Sequence, residues 1–284
     1  MPMTHTQLTA PNRALAAPNG VTYAYRRFGD AGASAPPVLF LQHLRGNLDN
    51  WDPALVDAVA AEREVVLLDN AGVGGSTGAV PTTVHEMAVG ALAFADAAGL
   101  GTYDLFGFSL GGFVAQEIAL LRSHQVRRIV LAGTAPQGGR GFHRFTGTVL
   151  EAVMTDQPTA EEFLTLFYTD SEESRTRGME SLGRVFTRQE DRDEPTDLAT
   201  REAQMLAISG WGVPDLTRLG RLAAITQPVL VANGDHDVMT PTENSYLLAG
   251  HLPDATLRIY PDAGHGFLNQ YPAEFAHEVN RFLG

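Results

Sequence analysis

Three short stretches carry the residues that could do chemistry. Gly107-Phe-Ser-Leu-Gly111 sets Ser109 between two glycines, and the later stretches Asn233-Gly-Asp-His-Asp237 and Tyr260-Pro-Asp-Ala-Gly-His265-Gly266 bring carboxylates and a histidine. A serine hydroxyl is a poor nucleophile at neutral pH, so it needs a base, and the base needs an orienting acid. Ser109, His265 and a carboxylate from the Asp235–Asp237 loop supply that set. The chemistry they could perform together is acyl transfer through the serine.

The spacing of the first stretch also predicts how Ser109 is held. Leu105 and Phe106 form a short apolar run, whereas Phe113, Val114, Ile118 and Leu121 recur at helical spacing, so a strand, a tight turn and a helix are expected with Ser109 at the turn. In such a G-x-S-x-G elbow the serine backbone is strained and its hydroxyl stands above the sheet. A Cβ at Gly107 or Gly111 would collide where strand and helix approach most closely. The helix N-terminus beside Ser109 favours developing negative charge, with the N–H of Leu110 as a donor.

The elements around this turn follow a strand–helix rhythm. Residues 21–28 alternate as a strand before a Gly29-Asp30 turn, and residues 36–42 and 64–69 are continuous apolar runs of the kind found in covered parallel strands. Between them, Asp52 and Pro53 open a helix over residues 52–60. A further helix is expected over 87–100, strands over 126–132, 228–233 and 256–260, and a closing helix over 273–283. The fold class is α/β, with a mostly parallel, doubly wound sheet. From residue 134 to 222 the strand pattern stops, and helical stretches at 148–154, 159–168, 172–186 and 197–209 replace it. The expected organisation is therefore a core of residues 1–134 and 223–284 interrupted by a helical cap, residues 135–222. The Asp235–Asp237 loop and His265 both follow strands directly, at the edge where parallel sheets assemble their sites.

Composition excludes several functions. The 284 residues carry 20 basic and 33 acidic side chains, a net charge of −13, which repels nucleic acid and anionic membrane surfaces. Cysteine is absent, so there is no thiol nucleophile, disulfide or thiolate metal site. His236 between two aspartates lacks converging ligands, and no metal is expected. The N-terminus has no continuous apolar segment of the secretory kind, and a cytoplasmic protein is the expectation. The remaining histidines, including His124, His143, His251 and His277, read as surface or internally satisfied groups.

Together these motifs resemble those of α/β-hydrolase-fold serine hydrolases, from about residue 21 to the C-terminus. The chain order Ser, Asp, His is that family's order. Its pattern of a strand, Gly-x-x-Asp and a proline soon after selects Asp237 over Asp235, with Asp235 bracing the loop. The position after the strand at 126–132, which holds the acid in some members, reads Ala-Gly-Thr-Ala-Pro136 and has no carboxylate. The resemblance also implies an oxyanion hole made by the backbone N–H groups of Leu44 and Leu110. Leu44 stands where the family usually has glycine, in His43-Leu-Arg-Gly-Asn47. Asp69-Asn-Ala-Gly-Val-Gly-Gly-Ser76 matches a structural turn of the family; neither the lysine of a P-loop nor the third glycine of a dinucleotide fingerprint is present.

The resemblance implies an esterase-like hydrolase of the carboxylesterase or cofactor-free haloperoxidase branch, acting without a cofactor on a small hydrophobic ester, lactone or thioester. A serine at 109 argues against the branches that use an aspartate nucleophile. A lyase or C–C bond hydrolase with the same triad, or a ligand receptor without turnover, are the alternatives. Candidate substrate contacts are His43, Arg45, Phe108, Phe142, Phe167 and Trp211. His43 is expected to hold its loop, and the aromatic residues of the insertion either line the pocket or form a small core of their own. Oligomeric state is open, with a homodimer as one option.

Overall fold

The computed structural model describes residues 5–29, 35–142, 145 and 147–284; Asp30 and His143 lie outside them. Eight strands form one sheet: β1 (Arg13–Ala16), β2 (Thr22–Gly29), β3 (Val38–Leu41), β4 (Glu64–Leu68), β5 (Tyr103–Phe108), β6 (Val126–Ala132), β7 (Val229–Gly234) and β8 (Ala255–Tyr260). Their order is β1-β2-β4-β3-β5-β6-β7-β8. β1 and β2 run antiparallel, β2 joins β4 antiparallel, and all later pairings are parallel. The edge strand β1 was not anticipated. Its Arg-Ala-Leu-Ala sequence is mostly exposed and lacks the alternation that marks a half-buried strand.

The helices are α1 (Pro53–Ala60), α2 (Val84–Ala97), α3 (Leu110–Leu121), α4 (Gly147–Met154), α5 (Ala160–Phe167), α6 (Glu172–Val185), α7 (Leu198–Trp211), α8 (Glu243–His251), α9 (Phe267–Gln270) and α10 (Pro272–Leu283). The Asp52 side chain caps α1 by accepting from the Ala54 N–H, with Pro53 at the first helical position. Strand residues alternate between two apolar layers. Leu39, Leu41, Val66, Leu68 and Leu105 pack with α2 and α3, whereas Val38, Phe40, Val65, Leu67 and Phe106 pack with α1 and α10.

The chain leaves β3 towards β4 on one side, and leaves β5 towards β6 on the other. The neighbouring C-terminal ends of β3 and β5 thus form the crevice of a doubly wound sheet. Residues 42–47 leave one end and Ser109 leaves the other.

The helical segment between β6 and β7 takes two paths. Residues of α4 and α5, among them Val153, Leu164 and Phe167, join the apolar layer that contains Phe108. Ala207, Ile208 and Trp211 of α7, with Leu219 and Leu222, join the opposite layer beside α2 and α3. No helix among the described residues is long and apolar enough to cross a membrane.

Candidate active site

Ser109 sits at the N-terminal cap of α3 with φ 55° and ψ −118°, a region that disfavours side chains. Backbone bonds hold it there. Its N–H donates to the Ala132 carbonyl at 2.9 Å, and its carbonyl accepts from the Gly112 N–H and the Thr134 hydroxyl, each at 2.8 Å. The flanking glycines let the turn close. A Cβ on Gly107 would fall 2.7 Å from the Gly112 Cα, and one on Gly111 would overlap the Leu41 carbonyl.

His265 and Asp237 leave β8 and β7 through short loops and meet at Nδ1···Oδ2 2.8 Å, both almost fully buried. Asp237 accepts from three further donors. Its Oδ1 takes the N–H groups of Met239 at 2.8 Å and Thr240 at 2.9 Å, and its Oδ2 takes the Thr240 hydroxyl at 2.7 Å. A carboxylate so placed only accepts, so Nδ1 of His265 donates to it, and the tautomer this selects leaves Nε2 as the nitrogen free to act as base. Asp235 points elsewhere: its Oδ1 accepts the Ala263 N–H at 3.1 Å and contacts His236 at 2.6 Å, bracing the start of the histidine loop.

The loop after β3 leaves one donor spare. The N–H of His43 goes to the Gln42 side chain, that of Arg45 to Gln204 and that of Gly46 to the His43 carbonyl. Among the described residues no acceptor meets the N–H of Leu44 or that of Leu110, the first residue of α3. Leu44, Ser109 and His265 all line one cavity of about 390 Å³. Its walls come from Val153 of α4, Phe163 and Phe167 of α5, Leu182 and Val185 of α6, and Met239 beside Asp237.

Residues 36–269 match the alpha/beta hydrolase fold family. The chain belongs to that family. An alpha/beta hydrolase fold protein from Chitinophaga pinensis superposes with a TM-score of 0.91 at 39% identity, covering 98% of this chain and 99% of that one. Pimeloyl-[acyl-carrier protein] methyl ester esterase of Nitrosomonas europaea is 31% identical over 183 residues, 62% of this chain and 69% of that protein. A putative carbamate hydrolase, RutD of Azorhizobium caulinodans, is 26% identical over 276 residues, 92% of this chain and 98% of that protein. These relatives support hydrolase activity on the α/β-hydrolase fold.

Within this α/β-hydrolase, the six expected substrate contacts separate. His43, Arg45 and Phe167 line the cavity. Phe108 lies beneath it, packed against the rings of His265 and His43 at 5.0 and 5.2 Å. Phe142 and Trp211 do not reach the cavity. Both pack on Phe113 of α3, Trp211 stacked at 5.5 Å and Phe142 tilted at 5.4 Å, because the polypeptide that carries them returns to the α2–α3 face. Arg45 touches the cavity with its guanidinium already engaged. It donates to the carbonyls of Thr155, Asp156 and Thr196 at 3.0, 2.7 and 2.7 Å and to the Thr196 hydroxyl at 3.2 Å. It fastens the loop to the inserted helices from a backbone at φ 63°. Phe163, one of the aromatic residues of the insertion for which either role was open, lines the cavity; Leu182, Val185 and Met239 were missed, and of these only Met239, two residues after Asp237, had a positional signal.

His43 is enclosed by Phe108 and Phe167, and its Nδ1–H donates to the Leu44 carbonyl at 2.8 Å. Desolvation, helped by the nearby His265, lowers its pKa from the usual 6.5 to about 4 even though the Leu44 carbonyl favours the charged form. The unfolded chain binds this proton below about pH 6.5 and the folded protein resists until about 4. The stability His43 contributes is therefore fully present above 6.5 and is lost as pH falls towards 4. The full shift corresponds to about 3 kcal/mol, reduced because the ring's partial exposure to the cavity lets water screen it. Urea unfolding at the two ends of this window should find a larger acid-side loss for the wild type than for His43→Gln; equal losses would contradict it.

Proposed function

We propose that the protein is a serine hydrolase that cleaves an ester-like bond of a small molecule through an acyl-enzyme on Ser109. The observation that carries this reading is that Ser109, at its strained turn, and His265, bonded to Asp237, open onto one apolar-walled cavity. Nε2 of His265 takes the proton as Ser109 Oγ attacks the carbonyl, and the N–H groups of Leu44 and Leu110 receive the oxyanion. Asp237 holds the histidine tautomer and stabilises the imidazolium. Collapse expels the alcohol with the histidine's proton; water, deprotonated by the same nitrogen, then frees the acid. Each bond change is served by residues of this chain. Helices α4, α5 and α6 act as a cap that shields the acyl-enzyme, and the esterase named among the relatives supports an ester as the scissile group. Intact-protein mass spectrometry after fluorophosphonate treatment tests this. A single adduct on the wild type, absent from Ser109→Ala and His265→Ala, is expected. An unlabelled wild type that hydrolyses no nitrophenyl ester would overturn the mechanism.

A further inference from the structure

Two cationic side chains line the cavity among the described residues, Arg45 and Arg192. Four of the five N–H groups of Arg45 already have acceptors. Arg192, in the connection between α6 and α7, has fewer. Its Nη1 donates to the Val185 carbonyl at 2.8 Å and its guanidinium lies 4.7 Å over the Phe186 ring, a stack that fixes the plane of the fork. Its Nε and Nη2 have no acceptor among the described residues, and it forms no ion pair there.

Of the neighbouring carboxylates, Asp49 is engaged elsewhere. Asp49 pairs with the buried Arg26 at 2.8 Å and with Arg188 at 3.7 Å, and it accepts the N–H of Asp193 at 2.8 Å. The Asp193 carboxyl, which also lines the cavity, is shifted towards its neutral form by burial and by Asp49. In a chain with 33 acidic residues, this oriented guanidinium fork beside an apolar cavity thus forms no ion pair among the described residues.

We propose that Arg192 anchors a carboxylate of the substrate, so that the preferred substrates carry a free acid group besides the bond that is cleaved. A planar fork with two unused N–H groups matches a carboxylate, which lysine could match only as a point charge. The apolar wall from α4 to α6 suits a hydrocarbon spacer between the two ends. This assignment rests on the hydrolase reading above and names its substrate class.

The probes are monomethyl esters of linear dicarboxylic acids and methyl esters of monocarboxylic acids of matched length. Calorimetry on Ser109→Ala should find the acid monoesters bound more tightly than their neutral counterparts. Arg192→Gln in that background should shrink this preference by about tenfold or more, the scale of a charge-assisted hydrogen bond. Arg192→Lys should restore only part of it. In the wild type, the ratio of kcat/KM between the two ester series should fall by the same factor on Arg192→Gln. No preference in Ser109→Ala, or a preference that Arg192→Gln leaves intact, would overturn the anchor and leave the hydrolase reading standing. Tight, Arg192-dependent binding without turnover by the wild type would keep the anchor and remove the hydrolase reading.

Discussion

Ser109→Ala should lower kcat/KM for any ester substrate by about 10⁴-fold or more while the protein remains folded. The hydroxyl is the only nucleophile the proposed route offers, and what survives is binding and whatever the Leu44 and Leu110 N–H groups lend to attack by water. Stability should change little. Among the described residues the Ser109 hydroxyl makes no hydrogen bond to the protein, and alanine tolerates the φ of 55° about as well as serine does. His265→Ala should cost a comparable factor, and the double variant little more, because the two residues act as a unit. Nitrophenyl ester kinetics with thermal unfolding on the same samples would check this; retention of activity within about tenfold would mean another group attacks.

Gly111→Ala should instead damage fold and activity together. Its Cβ would overlap the carbonyl of Leu41 and approach that of Gln42 to 3.0 Å, and neither backbone group can move aside alone. Helix α3 would have to lift from β3, at a cost of about 3 kcal/mol. The strain would also displace the loop that begins at Gln42 and carries the Leu44 N–H. Gly210→Ala is the matched control. It lies in α7, a Cβ there meets nothing within 4 Å, and helix propensity favours alanine by up to about 1 kcal/mol. Denaturant unfolding of both variants should move in opposite directions; equal shifts would show that the contact at Leu41 is not what requires glycine.

The elbow was legible because its constraint is local. Two glycines, an apolar run before and a helical run after are enough to set a strand, a turn and a helix. The strand ends bearing Asp237 and His265 were legible for the same reason, since continuous apolar runs mark covered parallel strands. The inserted helices were also readable as helices: spans expected at 172–186 and 197–209 correspond to Glu172–Val185 and Leu198–Trp211. Their faces were not. Phe163 and Trp211 are both aromatic residues on amphipathic helices, and only the path of the chain decides that one borders the cavity while the other stacks on Phe113. Arg192 was invisible in the same way. It sits in the charged connection between α6 and α7, and its cavity position depends on where α6 ends.

The fastening of the inserted helices bears on how the enzyme selects by size. At one corner the Gly266 N–H donates to the Phe167 carbonyl at 2.6 Å, and Asp262 accepts the hydroxyls of Thr169 at 2.7 Å and Ser171 at 2.5 Å. At another, Arg45 grips Thr155, Asp156 and Thr196. On the proposed mechanism, a roof tied to both the His265 loop and the Leu44 loop cannot swell for a longer guest without disturbing those groups. Such a chamber works as a ruler: a homologous series gains affinity with each methylene until its length is filled, then loses rate abruptly.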